Sequence, residues 1–65
     1  MTMNEVNDIL KLYNLRVRKR KNGEYWVRRI GTKKWFHIAG DTGEGANQRV
    51  CEYLLKHSDD FNSWA

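Results

Sequence analysis

Nine basic residues fall between Arg16 and Lys34 (Arg16, Arg18, Lys19, Arg20, Lys21, Arg28, Arg29, Lys33 and Lys34), with Glu24 the one acidic residue among them. Nine positive charges less one negative leave +8 on this stretch. Three basic and seven acidic residues leave −4 on the remainder, and the two give the net +4. Guanidinium and ammonium groups bind anions by charge-assisted hydrogen bonds to phosphate or carboxylate oxygens. A basic block between acidic ends points to a face for a polyanion rather than to general solubility.

Residue types suited to other chemistry are sparse. His37, His57 and Cys51 match no zinc spacing, and three residues do not close a four-ligand site. Cys51, beside Val50 in a helical segment, reads as a small core residue, and no third group is at hand to orient a Cys–His pair. Asp59 and Asp60 read as a solvated pair. Gly40 to Gly45 is rich in glycine but lacks the Lys-Ser/Thr of a phosphate-binding P-loop. In 65 residues there is little chain to wall a deep pocket. The expectation is a non-enzyme with no cofactor, no metal and no small-molecule substrate.

The elements that must position the basic residues follow from periodicity. Thr2 to Tyr13 reads as a helix: Thr2 and Glu5 fit a capping box, and Val6, Ile9, Leu10 and Tyr13 share one side. Asn14 is the expected stop. Leu15 to Arg20 alternates apolar and charged residues, and Tyr25 to Ile30 is aromatic and β-branched, with Asn22-Gly23 as the hairpin signal between them. Gly31-Thr32-Lys33 reads as a second turn, before a strand through Trp35, Phe36, His37 and Ile38. Gly40–Gly45 reads as a loop. Ala46 to His57 is a helix with Val50, Tyr53 and Leu54 pointing in, and residues 58–65 form a tail. The fold class is α+β: a three-stranded antiparallel sheet (15–39) packed on a C-terminal helix (45–57), with a short N-terminal helix (1–14). Without proline, linker or repeat, residues 1–65 read as one domain. The Met1 start fits a complete small gene product or an excised domain.

A two-residue Asn22-Gly23 loop would put Leu15, Val17, Lys19, Trp26, Arg28 and Ile30 on one face of the hairpin. Arg16, Arg18, Arg20, Tyr25, Val27 and Arg29 would then take the other, and a slip of one residue would invert the assignment. An odd-length second loop, or a bulge there, would add Phe36 and Ile38 to the first face and Trp35 and His37 to the second. The expected exposed face is thus Arg16, Arg18, Arg20, Tyr25, Val27, Arg29, Trp35 and His37. Phosphate and base-edge or stacking contacts suit these residue types. Packing of the aromatics on arginine stems, merely to cover the sheet, suits them too.

The runs Asn14-Leu15-Arg16-Val17-Arg18, Asn22-Gly23-Glu24-Tyr25-Trp26-Val27-Arg28 and Thr32-Lys33-Lys34-Trp35-Phe36-His37-Ile38-Ala39-Gly40 resemble a known family. They are similar to the N-terminal arm-site DNA-binding domain of phage tyrosine-recombinase integrases, a relative of the plant AP2 domain, over about Asn14 to His57. The resemblance implies insertion of the sheet into a DNA major groove, with Arg16, Arg18, Arg20, Tyr25, Arg29 and Trp35 on the DNA; Lys33 and His37 complete the candidate set. No recombinase catalytic domain follows, so the expected role is that of an accessory protein of a phage or mobile element. Gly43 to Glu52, and the order helix–three strands–helix, also resemble double-stranded RNA-binding domains, which implies phosphate contacts at Gln48 and Arg49.

A protein partner is the remaining expectation: a small phage protein could inhibit a host nucleic-acid enzyme by placing its basic face in a channel for nucleic acid. Phe61 and Trp64 would either fold back on the first helix or anchor such a partner. A single cysteine points to a reducing compartment, here the bacterial cytoplasm. No apolar run approaches the roughly 18 residues of a membrane span, and none resembles a signal peptide, so no membrane partner is expected.

Overall fold

Thr2 and Glu5 set the start of the first helix. The Thr2 hydroxyl accepts from the Glu5 amide at 3.2 Å, and the Glu5 carboxylate accepts from the Thr2 amide at 3.1 Å. This capping box satisfies two N–H groups that the helix leaves without partners. Helix α1 (Met3–Leu10) tightens into a 3₁₀ turn over Lys11–Tyr13 and stops at Asn14, which is left-handed at φ 62°. Val6 and Leu10 are buried, whereas Tyr13, turned by the tighter 3₁₀ geometry, is exposed.

The computed structural model describes residues 1–62. After α1 come β1 (Leu15–Lys19), β2 (Glu24–Arg29), β3 (Phe36–Gly40), α2 (Ala46–Lys56) and α3 (Ser58–Asn62). The strands form one antiparallel sheet in the order β1-β2-β3, so the class is α+β as the sequence indicates. Residues expected as a tail begin instead with the short helix α3.

The first hairpin departs from the two-residue turn. Its loop has three residues, Lys21 to Gly23. Arg20 N–H donates to Glu24 O at 2.8 Å, Gly23 N–H donates to Arg20 O at 3.0 Å, and only Gly23 takes a positive φ, +81°. This is a type I turn closed by a left-handed glycine. Two contacts select it. Asn22 is held by its own side chain, which accepts from Glu24 N–H at 3.1 Å and donates to the Glu24 carboxylate at 2.8 Å. Gly23 is buried, and its carbonyl accepts from Asp41 N–H at 3.0 Å.

One more residue in the loop turns β2 over. Arg18 lies opposite Trp26, Val17 opposite Val27 and Lys19 opposite Tyr25. Tyr25, Val27 and Arg29 therefore face the helices, and Trp26 and Arg28 face outward, the reverse of the expected assignment. The second connection reverses the parity again, with Val27 opposite Phe36 and Trp26 opposite His37. Phe36 consequently still packs toward the core and His37 still faces out. An irregularity between Tyr25 and Trp26 leaves Ile38 as the extra residue on β3, half-buried against the core.

Both helices cover one face of this sheet. Val6 and Leu10 of α1 meet Leu15 and Val17 of β1, Tyr25 and Val27 of β2, and Val50, Cys51 and Leu54 of α2 in one cluster. Helix α1 packs on both β1 and α2, a larger part than the sequence assigns it. Cys51 takes the inward place expected of Tyr53, which is exposed and lies against the His57 ring at 4.6 Å. Among the described residues no helix covers the opposite face of the sheet.

Candidate nucleic-acid interface

Alternation along each strand brings the outward side chains into rows. Arg18, Trp26 and His37 are neighbours across the three strands, and Arg16 lies opposite Arg28. The Arg20 guanidinium sits 4.8 Å from the centre of the Trp26 ring, whose other neighbour is the His37 imidazole at 5.1 Å, edge to face. Arg18 and Arg28 both lie over Trp35, at 5.8 and 5.2 Å. Guanidinium groups are drawn to indole faces by the ring quadrupole, at about 0.5–1 kcal/mol each on an exposed surface. Arg28 also donates to the Thr32 carbonyl at 3.1 Å, which ties it to the β2–β3 loop.

The electrostatics of the face are one-sided. Among the described residues no carboxylate lies within ion-pair distance of Arg16, Arg18, Arg20 or Arg28. Glu24 is held by Asn22, lies 3.8 Å from His37 Nε2, and with its carbonyl accepts from Arg20 N–H at the hairpin end. Four guanidinium groups therefore stand on this face without an ion-pair partner, and Asp8 shares a hollow with Arg16 and Arg28.

Of the candidate residues, Arg16, Arg18, Arg20, Trp35 and His37 meet on this face, and Lys33 is exposed in the loop that ends it. Tyr25 and Arg29 do not belong to it. Tyr25 is completely buried, and its hydroxyl donates to Asn47 Oδ1, whose amide in turn donates to the Met1 carbonyl at 2.9 Å. Arg29 is half-buried on the helix side, opposite Leu15. Trp26 and Arg28 take their places. One signal for the exchange lay in the chain: the expected core face put a cation, Arg28, at mid-strand, whereas the inverted face offers Val27 there.

The start of α2 is organised differently from a phosphate grip. Arg49 makes a two-pronged contact with Asp41, at 2.9 and 3.0 Å, and donates to the Glu44 carbonyl at 2.7 Å. Asp41 also accepts from Gly43 N–H at 3.0 Å. The Arg49 bonds, then the Gly43 bond, hold the Asp41 carboxyl down at about 2. Arg49 thus clasps its own loop. The Cys51 thiol is buried, and burial, then the Glu52 charge, pushes its pKa up, which favours the protonated form.

Comparison of the chain with protein-family models, curated proteins and solved structures returns no match. The interface is therefore defined by its own geometry. Among the described residues no group of three or more His, Cys, Asp or Glu side chains is placed to hold a metal ion, and no helix is long and apolar enough to cross a membrane. Trp64 lies outside the described residues, as does the side chain of Phe61 in α3, and with them the two expected roles of that pair.

Proposed function

We propose that this protein binds duplex DNA, without catalysis, through the open face of its sheet. The observation that carries this reading is the set of four arginines, Arg16, Arg18, Arg20 and Arg28, without an ion-pair partner on one face beside Trp26, Trp35 and His37. Because Arg20 covers Trp26, and Arg18 and Arg28 cover Trp35, the outermost layer is guanidinium rather than indole. That layering favours phosphates and groove edges over the open aromatic platforms on which single strands stack. Three strands about 4.8 Å apart make a slab suited to a major groove roughly 12 Å wide. The resemblance to integrase arm-type and AP2 domains, four of whose six implied DNA residues lie on this face, carries the further proposal of an accessory role for a phage or mobile element in the bacterial cytoplasm.

Duplex RNA is the weaker ligand, because Arg49, at the position that resemblance gives to phosphate, is bound to Asp41. A protein partner is favoured by a different observation. Leu12 is 85% exposed, next to the exposed Tyr13, and Ile30 on the neighbouring strand end is 40% exposed. These side chains support contact with a protein, of which inhibition of a host nucleic-acid enzyme is the form proposed.

Fluorescent duplex DNA, duplex RNA and single-stranded DNA, titrated at two salt concentrations, separate these readings. Duplex-DNA binding that weakens steeply with salt and falls about tenfold or more in an Arg18→Ala/Arg28→Ala variant is the expected result. Unchanged affinity in that variant removes the sheet face from the interface. Absence of binding to all three ligands leaves the protein-contact reading.

A further inference from the structure

The cations of the open face are not spread evenly over its strands. β1 supplies Arg16 and Arg18 at its outer side, with Arg20 directly after its end, β2 supplies Arg28, and β3 from Phe36 to Gly40 contains neither lysine nor arginine. Of the carboxylates, Glu24 lies toward His37 of β3 and Asp41 follows β3 directly, while Asp8 of α1 shares a separate hollow with Arg16. The β1 edge also borders a cleft of about 450 Å³ between the first turn of α1 and the strand, lined by Asn4, Asn7, Arg16, Arg18, Lys19 and Trp35, with no carboxylate in its wall.

We infer that one sugar–phosphate strand runs lengthwise along β1, held by the row Arg16, Arg18, Arg20 and by Lys19 from the strand side of the cleft, and by Asn4 across it. This rests on the reading that the open face binds duplex DNA, and adds to it where the backbone lies and that α1 takes part. Alternate residues of a strand are about 6.8 Å apart, a spacing comparable with that of successive phosphates along a nucleic-acid strand. Three guanidinium groups in such a row can each meet one phosphate in turn. Arg28 and Trp35 then line the inner side of that cleft, and Trp26 and His37 lie inside the backbone, toward the groove floor. The far backbone passes the β3 side without a cationic partner from that strand, so the grip is asymmetric.

The test is the salt dependence of duplex binding in single variants. Each phosphate contact contributes about 0.9 to the slope of log affinity against log salt. Arg16→Ala and Arg20→Ala are expected to lower the slope by about one each. Asn4→Asp is expected to weaken binding about tenfold, although aspartate in the first turn of a helix is a stabilising substitution; circular dichroism checks that the variant is folded. Asn4→Lys is expected to strengthen binding. If the slopes of Arg16→Ala and Arg20→Ala match the wild type while Arg28→Ala still weakens binding, the strand does not follow β1, and the reading of the face survives. If the wild-type protein binds no duplex, the reading of the face and the strand path fall together.

Discussion

The side-chain amide of Asn7 bonds both outward backbone groups of Val17: Nδ2 donates to the Val17 carbonyl at 3.1 Å, and Oδ1 accepts from its N–H at 2.8 Å. β1 is an edge strand, and Val17 turns these groups away from β2. Asn7 thus stands in for a residue of a fourth strand and fastens α1 to the sheet at the same point. An edge strand without such cover is a template for pairing with another chain.

Replacing Asn7 by alanine is expected to cost about 1–3 kcal/mol, the range for leaving a buried polar group unpaired. Urea denaturation measures the loss. The same variant is expected to associate at concentrations where the wild-type protein does not, which light scattering reports.

Gly23→Ala should be the more damaging of two glycine replacements. At φ +81° the left-handed conformation is strained for alanine, and its methyl group would run into the Thr42 side chain. Gly31 has φ +96° but open space around it, so Gly31→Ala carries backbone strain alone. The expected losses are above about 1 kcal/mol for the first and a smaller value for the second. Paired thermal melts decide the order.

Tyr25→Phe separates the buried aromatic from the open face. Loss of the hydroxyl bond to Asn47 is expected to lower stability by about 1 kcal/mol and to leave DNA affinity unchanged. Arg28→Ala is expected to do the reverse. Equal effects of the two on binding would return Tyr25 to the interface.

Asp41 contributes to the acid limb of stability. Its carboxyl is held at about 2, below the ordinary 3.8, chiefly by Arg49. A carboxyl lowered on folding stabilises the protein above its unfolded value and loses that contribution as pH falls through the folded one. The melting temperature is therefore expected to decline between roughly pH 4 and 2, and to decline less in Asp41→Asn. Parallel decline in both proteins would show that the Arg49 clasp does not contribute.

The chain announces most of its elements locally. Thr2 and Glu5 mark the start of α1, Asn14 marks its end, and the alternation of Leu15 to Lys19 puts its arginines outward. Register was harder, because it depends on contacts distant in sequence. Asn22-Gly23 fits both a two-residue and a three-residue loop. The choice is made by Glu24 on the Asn22 side chain and by Asp41 on the Gly23 carbonyl, the second of which comes from the far side of β3. That one residue inverted β2, so Tyr25 and Arg29 exchanged faces with Trp26 and Arg28. β1 and β3 kept theirs because the second connection changed parity as well. Asn7 gave no local sign of its part, since only the folded sheet shows which strand edge it meets.

The stacking of Arg20 on Trp26, and of Arg18 and Arg28 on Trp35, has a kinetic and entropic side. A free arginine side chain surrenders up to about 2 kcal/mol of rotamer entropy when it is fixed, and an interface normally bears part of that cost at the moment of association. Here the indoles restrain three of the four guanidinium groups while the face is still empty. Part of the penalty is thereby moved from binding to folding, and on the proposed reading a duplex arriving at this surface meets donors already restrained.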